Sequence, residues 1–93
     1  MKDITKYSDP KQVQSLAYKL LGKDAVVYIS TRKNKKYMIQ DPNGKWIHFG
    51  QLPYEDFTKH KDLTRRKDFQ SRNTKWQKSS IYSPSWLAYH LLW

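Results

Sequence analysis

AVVYIST (residues 25–31), KYMIQ (36–40) and KWIHF (45–49) are three runs rich in β-branched and aromatic side chains. Runs of this composition predict β-strands. RKNK (32–35) and DPNG (41–44) separate them, and in the second turn Pro42 presets φ while Gly44 accepts a positive φ. Because both connections are short, the strands are expected to form a three-stranded antiparallel meander.

Alternation in the third run assigns its side chains to two faces. Trp46 and His48 fall on one face of the predicted sheet, and Ile47 and Phe49 fall on the other.

An amphipathic helix is predicted before the meander. Ser8 or Asp9 can cap its first turn, Pro10 suits that turn, and Gly22 is a natural end. An apolar stripe at helical spacing follows the cap and would cover one face of the sheet: Val13, Leu16, Ala17, Leu20 and Leu21. Residues 1–8 are expected to be loosely fixed.

Two or three short helices are predicted after the meander. One or two turns are expected near residues 55–60, Asp62 can cap a second segment, and residues 73–81 are polar and expected to be irregular. Ser83 and Pro84 open a final helix over 85–93 that would dock Leu87 and Leu91. The predicted fold is α+β, with residues 1–93 forming a single domain.

Charge is the strongest functional signal in the sequence. The 93 residues carry 18 Lys and Arg against 8 Asp and Glu, a formal net charge of +10, and no cysteine. Absence of cysteine excludes thiolate chemistry and disulfides. An excess of this size predicts an acidic partner, with nucleic acid first and an anionic membrane surface or an acidic protein next.

The basic residues form two clusters in the sequence, one at the first hairpin turn and one near residues 61–72. The spacing of Lys61, Arg65 and Arg72 predicts three cations on one side of a helix. Phosphate contacts give affinity without sequence preference, and no base-reading motif is present. The alternative is a solvated face paired with Asp62 and Asp68. The predicted nucleic-acid contacts are Arg32, Lys33, Lys35, Lys36, Lys61, Arg65, Arg66 and Arg72.

The four tryptophans have two interpretations. Exposed rings could stack on bases or anchor a protein interface, and buried rings would fill a small core. The sequence does not separate the two for Trp46, Trp76, Trp86 and Trp93.

A metal site is a weaker candidate. His48, Asp56 and His60 loosely match small metal-dependent nucleases built from two strands and a helix, although Asp56 and His60 at i, i+4 also suit an ordinary hydrogen-bonded pair. We therefore expect a non-enzymatic protein without a cofactor.

Much of the chain resembles short basic proteins encoded by nucleocytoplasmic large DNA viruses. The resemblance covers residues 36–93 and is most specific from His48 to Asp62, with Trp76 and the closing Tyr82-Ser83-Pro84 also matching. It implies a viral origin and a place in the virus particle or in the host cytoplasm or nucleus, and it supplies no active site. With no signal peptide or membrane span predicted, the candidate functions are nonspecific nucleic-acid binding, a minor structural or cement role against acidic capsid proteins, and a metal-dependent nuclease.

Overall fold

A computed structural model describes residues 3–93 of the chain. A 3-10 turn at Ile4–Lys6 comes before the first helix, and another at Thr74–Lys78 comes before the last. The regular elements are α1 (Pro10–Leu21), β1 (Val27–Ile29), β2 (Lys35–Gln40), β3 (Trp46–Gln51), α2 (Phe57–His60), α3 (Leu63–Arg72) and α4 (Pro84–Leu87), and α4 continues as a π-helical turn over Ala88–Leu92. The α+β prediction is confirmed.

The sheet is an antiparallel meander in the order β1-β2-β3. Tyr37 pairs with Phe49, and Ile39 pairs with Ile47, so four core side chains share one face. Gly44 adopts φ 86° in the second turn, and its N–H donates to the carbonyl of Asp41 at 3.0 Å. The predicted alternation along β3 is confirmed, since Ile47 and Phe49 are buried while Trp46 is exposed.

Helix α1 begins and ends where the sequence predicts. Asp9 accepts hydrogen bonds from the N–H groups of Lys11 and Gln12, and Gly22 ends the helix at φ 106°. Val13 and Ala17 are fully buried. Leu20 departs from the predicted stripe, because it is 45% exposed at the edge of the helix.

The core combines residues from one face of the sheet with residues from the segments before and after it. Its buried apolar residues are Ile4, Val13, Ala17, Ala25, Tyr37, Ile39, Ile47, Phe49, Leu87, Leu91 and Leu92. Ser83 caps α4 as predicted by accepting from the N–H of Trp86, and the helix docks Leu87 and Leu91 into this core.

Two segments differ from the sequence predictions. Residues 1–8 are expected to be loose, but Ile4–Lys6 forms the first 3-10 turn, in which Ile4 is 3% exposed. Residues 1 and 2 lie outside the described part of the chain. Part of the polar stretch after α3, expected to be irregular, forms the second 3-10 turn. Among residues 3–93, no helix is long and apolar enough to cross a bilayer.

Candidate functional site

An open cleft of about 440 Å³ lies between the end of β3, helix α3 and the C-terminal helix. Its lining combines aromatic rings with charged side chains, a mixture typical of small-molecule and nucleotide sites. The side chains that matter for its chemistry are Lys36, Tyr54, Glu55, Arg65, Asp68, Phe69, Arg72, Trp76 and Trp93.

One wall of the cleft is a stack of aromatic rings. Phe69 and Trp93 lie parallel, with ring centroids 4.3 Å apart and 7° between their planes, and Trp76 meets Phe69 edge-on at 5.8 Å. The main-chain oxygen of Trp93 accepts a hydrogen bond from Arg66 Nε at 2.7 Å. The wall is therefore held in place by α3 as well as by ring contacts.

The rim of the cleft carries two arginines and two carboxylates. Arg65 lies 3.7 Å from Glu55 in an ion pair whose side chains are about half exposed. Arg72 Nε donates to the main-chain oxygen of Asp68 at 3.3 Å. Both guanidinium groups belong to residues that line the cleft, so they can approach an anion bound there.

A buried ion pair lies beside the cleft. Lys36 and Asp56 are 2% and 0% exposed, and Nζ lies 3.0 Å from Oδ2. Burial lowers the pKa of Lys36, while the Asp56 carboxylate opposes that shift. The aspartate also accepts from the hydroxyl of Thr58, which contacts Ser8 Oγ at 3.0 Å.

The same polar network reaches the core face of the sheet. Tyr37 donates its hydroxyl hydrogen to Ser8 Oγ at 2.6 Å, and burial raises the pKa of Tyr37. Each buried polar group here has a partner, as burial requires. The network joins the N-terminal segment, β2 and α2, and thereby fixes the base of the cleft.

Three of the predicted nucleic-acid contacts are placed differently by the fold. Lys36 is buried against Asp56 and cannot present its charge to a phosphate, so this prediction is wrong. Arg66 reaches inward to Trp93 and lies over the Phe57 ring at 4.7 Å, which makes it a packing residue. Lys61 follows α2 in a left-handed conformation, φ 57°, and its amine contacts Gln12 of α1.

The predicted alignment of Lys61 with Arg65 and Arg72 is therefore also wrong. The left-handed residue ends α2, and Asp62 caps a separate helix by accepting from the N–H groups of Thr64 and Arg65. Helical spacing does not continue across that break.

The two predicted basic clusters approach each other through the sheet. Lys35 pairs with Gln51 across β2 and β3, and the carbonyl of Asn34 accepts from the N–H of Leu52 at 3.0 Å. Gln51 also lines the cleft. The turn that carries Arg32, Lys33 and Lys35 thus borders the same end of the sheet as the cleft.

The weak metal candidates do not form a site. His48 Nδ1 shares a hydrogen bond of 2.7 Å with Ser30 Oγ, Asp56 is paired with Lys36, and His60 Nδ1 accepts from the N–H of Asp62 at 2.9 Å. Within residues 3–93, no group of three or more His, Asp or Glu side chains is arranged to hold a metal ion.

The tryptophans divide between the cleft and other surfaces. Trp76 and Trp93 line the cleft, and Trp86 is partly buried with its ring 4.4 Å from that of His90. Trp46 is 42% exposed on the outer face of the sheet, where it meets the ring of Tyr28.

Glu55 and Asp68 at the rim were missed by sequence reasoning as cleft residues. Neither has a distinguishing neighbour in the sequence, and both line the cleft only because the fold brings residues of α3 near the end of β3. The buried partnership of Lys36 and Asp56 was missed for the same reason, since 20 positions separate the two residues.

Comparison with known proteins gives a family for this chain. No curated protein and no solved structure matches it. A family described as "Family of unknown function (DUF5754)" matches residues 25–73, which are 49 of the 93 residues. The matched segment contains the whole sheet, α2 and α3, and therefore most of the cleft rim. The chain belongs to the DUF5754 family.

Proposed function

We propose that this protein binds nucleic acid without sequence specificity, through a basic surface around the cleft. The basic surface consists of Arg32, Lys33, Lys35, Arg65 and Arg72. From the resemblance to short basic proteins of large DNA viruses, we further propose that the protein is viral and meets nucleic acid in the particle or in the infected cell. No catalytic step and no cofactor is part of this proposal.

The observation that carries the proposal is how the carboxylates are used. Five of the eight acidic residues accept hydrogen bonds from main-chain N–H groups at caps and turns or lie buried: Asp3, Asp9, Asp41, Asp56 and Asp62. These acids serve the fold. The formal net charge of +10 implies mutual repulsion among the basic side chains, and a polyanion would relieve it.

The proximity of the two basic clusters supports the same conclusion. Lys35 of the hairpin turn pairs with Gln51 at the end of β3, and Gln51 lines the cleft together with Arg65 and Arg72 of α3. A phosphate backbone that follows this end of the molecule could contact arginines from both clusters. Arginine suits this role because its forked guanidinium binds phosphate oxygens in pairs.

A salt titration tests the proposal. A labelled oligonucleotide is titrated with protein by fluorescence anisotropy from roughly 50 to 200 mM salt, and log K is expected to fall linearly with log[salt]. Arg65→Gln/Arg72→Gln should weaken binding and reduce the slope by about one to two units. Absence of binding at low salt, or affinity that ignores salt, would refute the proposed function.

A matched control separates local contacts from net charge. Lys19→Gln/Lys23→Gln also removes two positive charges, one in the last turn of α1 and one just after the helix, and neither residue lines the cleft. This variant should lose much less affinity than the α3 variant. Equal losses would mean that charge acts from the whole exterior, and the basic surface would have no special role.

An acidic protein of a virus particle is the second candidate partner. The observation that favours it is the outer sheet face, where Tyr28 and Trp46 are 49% and 42% exposed, since exposed rings are common at protein interfaces. Polyglutamate provides the test. If it binds as tightly as an oligonucleotide at equal salt, the surface recognises carboxylates as well as phosphates, and the structural role is preferred.

A further inference from the structure

We infer that the cleft takes one unpaired nucleotide of a single strand, with its base against the aromatic wall and its phosphate against the rim arginines. This inference rests on the proposed function and names the ligand class of the same site. Three features of the cleft support it: its free ring surface, its mixed rim and its size.

Phe69, Trp76 and Trp93 line the cleft and are only partly buried, so ring surface remains for a ligand. The parallel stack of Phe69 and Trp93 forms a fixed wall, so it does not need to be ordered when a ligand binds. Trp76 meets that wall edge-on, and Tyr54 is 65% exposed at the mouth. A base stacks on such rings whatever its sequence, because every base has two π-faces.

The rim contains both positively and negatively charged side chains, and this restricts the class of ligand that the cleft can bind. A bare phosphate would meet the carboxylates of Glu55 and Asp68, and an apolar ligand would displace water from four charged groups without offering them a polar contact. A nucleotide has phosphate oxygens for Arg65 and Arg72, and an unpaired base also has N–H groups that can donate to carboxylates.

The size of the cleft favours an unpaired nucleotide. Its volume of about 440 Å³ lies within the range of about 300–1,000 Å³ usual for small-ligand sites. In a duplex the faces of each base are covered by its neighbours, so the base must leave the stack before it can enter a pocket. The cleft should therefore discriminate single strands from duplexes, although the basic surface alone would bind both.

The test compares two tyrosines of similar exposure. Tyr54→Ala removes a ring at the mouth of the cleft, and Tyr28→Ala removes one from the outer sheet face, where 49% is exposed. Each protein is titrated against a single strand of about ten nucleotides, a duplex of the same sequence, and adenosine monophosphate as a free nucleotide. Circular dichroism checks that both variants are folded. We expect them to fold because the two tyrosines are largely exposed in the wild type.

The expected result is a selective loss. Tyr54→Ala should weaken single-strand binding by about fivefold or more with an unchanged salt slope, and duplex binding by less than about twofold. Tyr28→Ala should alter neither by more than about twofold. The wild type should bind the single strand at least about tenfold more tightly than adenosine monophosphate, because further phosphates reach the basic surface.

Other results would overturn the inference in distinguishable ways. If both strands bind and Tyr54→Ala changes nothing, or if Tyr28→Ala costs as much, the cleft inference fails while the proposed function stands. If adenosine monophosphate binds as tightly as the strand, the cleft takes free nucleotides and the single-strand inference fails. If neither strand binds at any salt, the proposed function fails with it.

Discussion

Helices α1 and α3 begin in the same way and serve different purposes. Each is capped by an aspartate that accepts from two main-chain N–H groups, Asp9 for α1 and Asp62 for α3. Helix α1 buries Val13 and Ala17, whereas α3 has no buried residue. The two helices therefore share the same kind of cap, and only α1 is also fixed by residues buried in the core.

The difference shows where stability and binding lie in this fold. Helix α3 is attached mainly by Arg66, Phe69 and Gln70, which contact Trp93, and its other side chains stay exposed. A helix that buries no residue in the core can present its basic side chains to a partner. Stability should therefore respond to changes near α1 and the sheet, and binding should respond to changes on α3.

The largest predicted effect comes from two neighbouring acids. Asp56→Ala leaves the Lys36 ammonium buried without its partner and should lower the free energy of unfolding by about 3–5 kcal/mol. Glu55→Ala breaks an ion pair that is about half exposed and should cost less than about 1 kcal/mol. Urea denaturation measures both, and similar losses would contradict the assignment of the buried pair as structural.

The next effect concerns Gly50 in β3. Its φ is 83°, and a Cβ there would lie 3.0 Å from Leu92 Cδ1 and from Lys36 Cβ. Gly50→Ala combines backbone strain with a steric clash and should lower the free energy of unfolding by about 2–4 kcal/mol.

Gly44 is the control for that substitution. Its φ is 86°, but its Cβ would meet only the Gln40 side chain, at 3.7 Å. Gly44→Ala should therefore cost the strain alone, about 1–2 kcal/mol, in the same urea measurement. An equal loss in both variants would show that packing between the sheet and the C-terminal helix is looser than the distances indicate.

Removing the two caps compares the helices directly. Asp9→Ala and Asp62→Ala should each lose about 1 kcal/mol of helix stability. For Asp9→Ala the loss should lower global stability, because α1 carries core residues. For Asp62→Ala it should appear as faster hydrogen exchange of α3 amides, with a smaller change in the urea midpoint. Equal midpoint shifts would mean that α3 unfolds together with the core.

Features that depend on neighbours in the chain could be predicted from the sequence. Asp9-Pro10 and Gly22 bound α1, and the period-two alternation of β3 separates its side chains into two faces, of which the structure buries the one with Ile47 and Phe49. Asp62 and Ser83 cap their helices as predicted. In each case the hydrogen bond or the side-chain direction is set within a few residues.

The candidate site could be predicted only in part. Lys36 follows Lys35 and belongs by sequence to a basic turn, and only the approach of Asp56 from another element buries it. Arg66 and Arg65 are adjacent in sequence, yet one faces Trp93 and the other faces the cleft. Which cation remains at the surface is decided by tertiary contacts, and no local pattern encodes them.

The smallest predicted effect is a pH dependence of the free energy of unfolding that comes from His60, the last residue of α2. Its ring contacts Trp93, its Nδ1 accepts from the N–H of Asp62, and its Nε2 is buried without a hydrogen-bond partner among the described residues. Burial first, and then the charge of Arg65, lower the pKa of His60 below its ordinary 6.5, against the opposing carboxylates of Asp62, Glu55 and Asp56.

The sign of the effect follows from linkage. At pH values between the lowered pKa of His60 in the folded protein and 6.5, the unfolded chain binds more protons than the folded one. The contribution of His60 to stability therefore falls as the pH drops below 6.5, and it is constant above that pH. Urea denaturation at about pH 7.5 and about pH 5.5 should show a smaller loss for His60→Gln than for the wild type. Arg65→Gln should show an intermediate loss, because burial still acts on the ring after the cation is removed. If His60→Gln loses as much stability on acidification as the wild type does, the acid sensitivity comes from another group. The contact of α3 with Trp93 would then be insensitive to pH in this range.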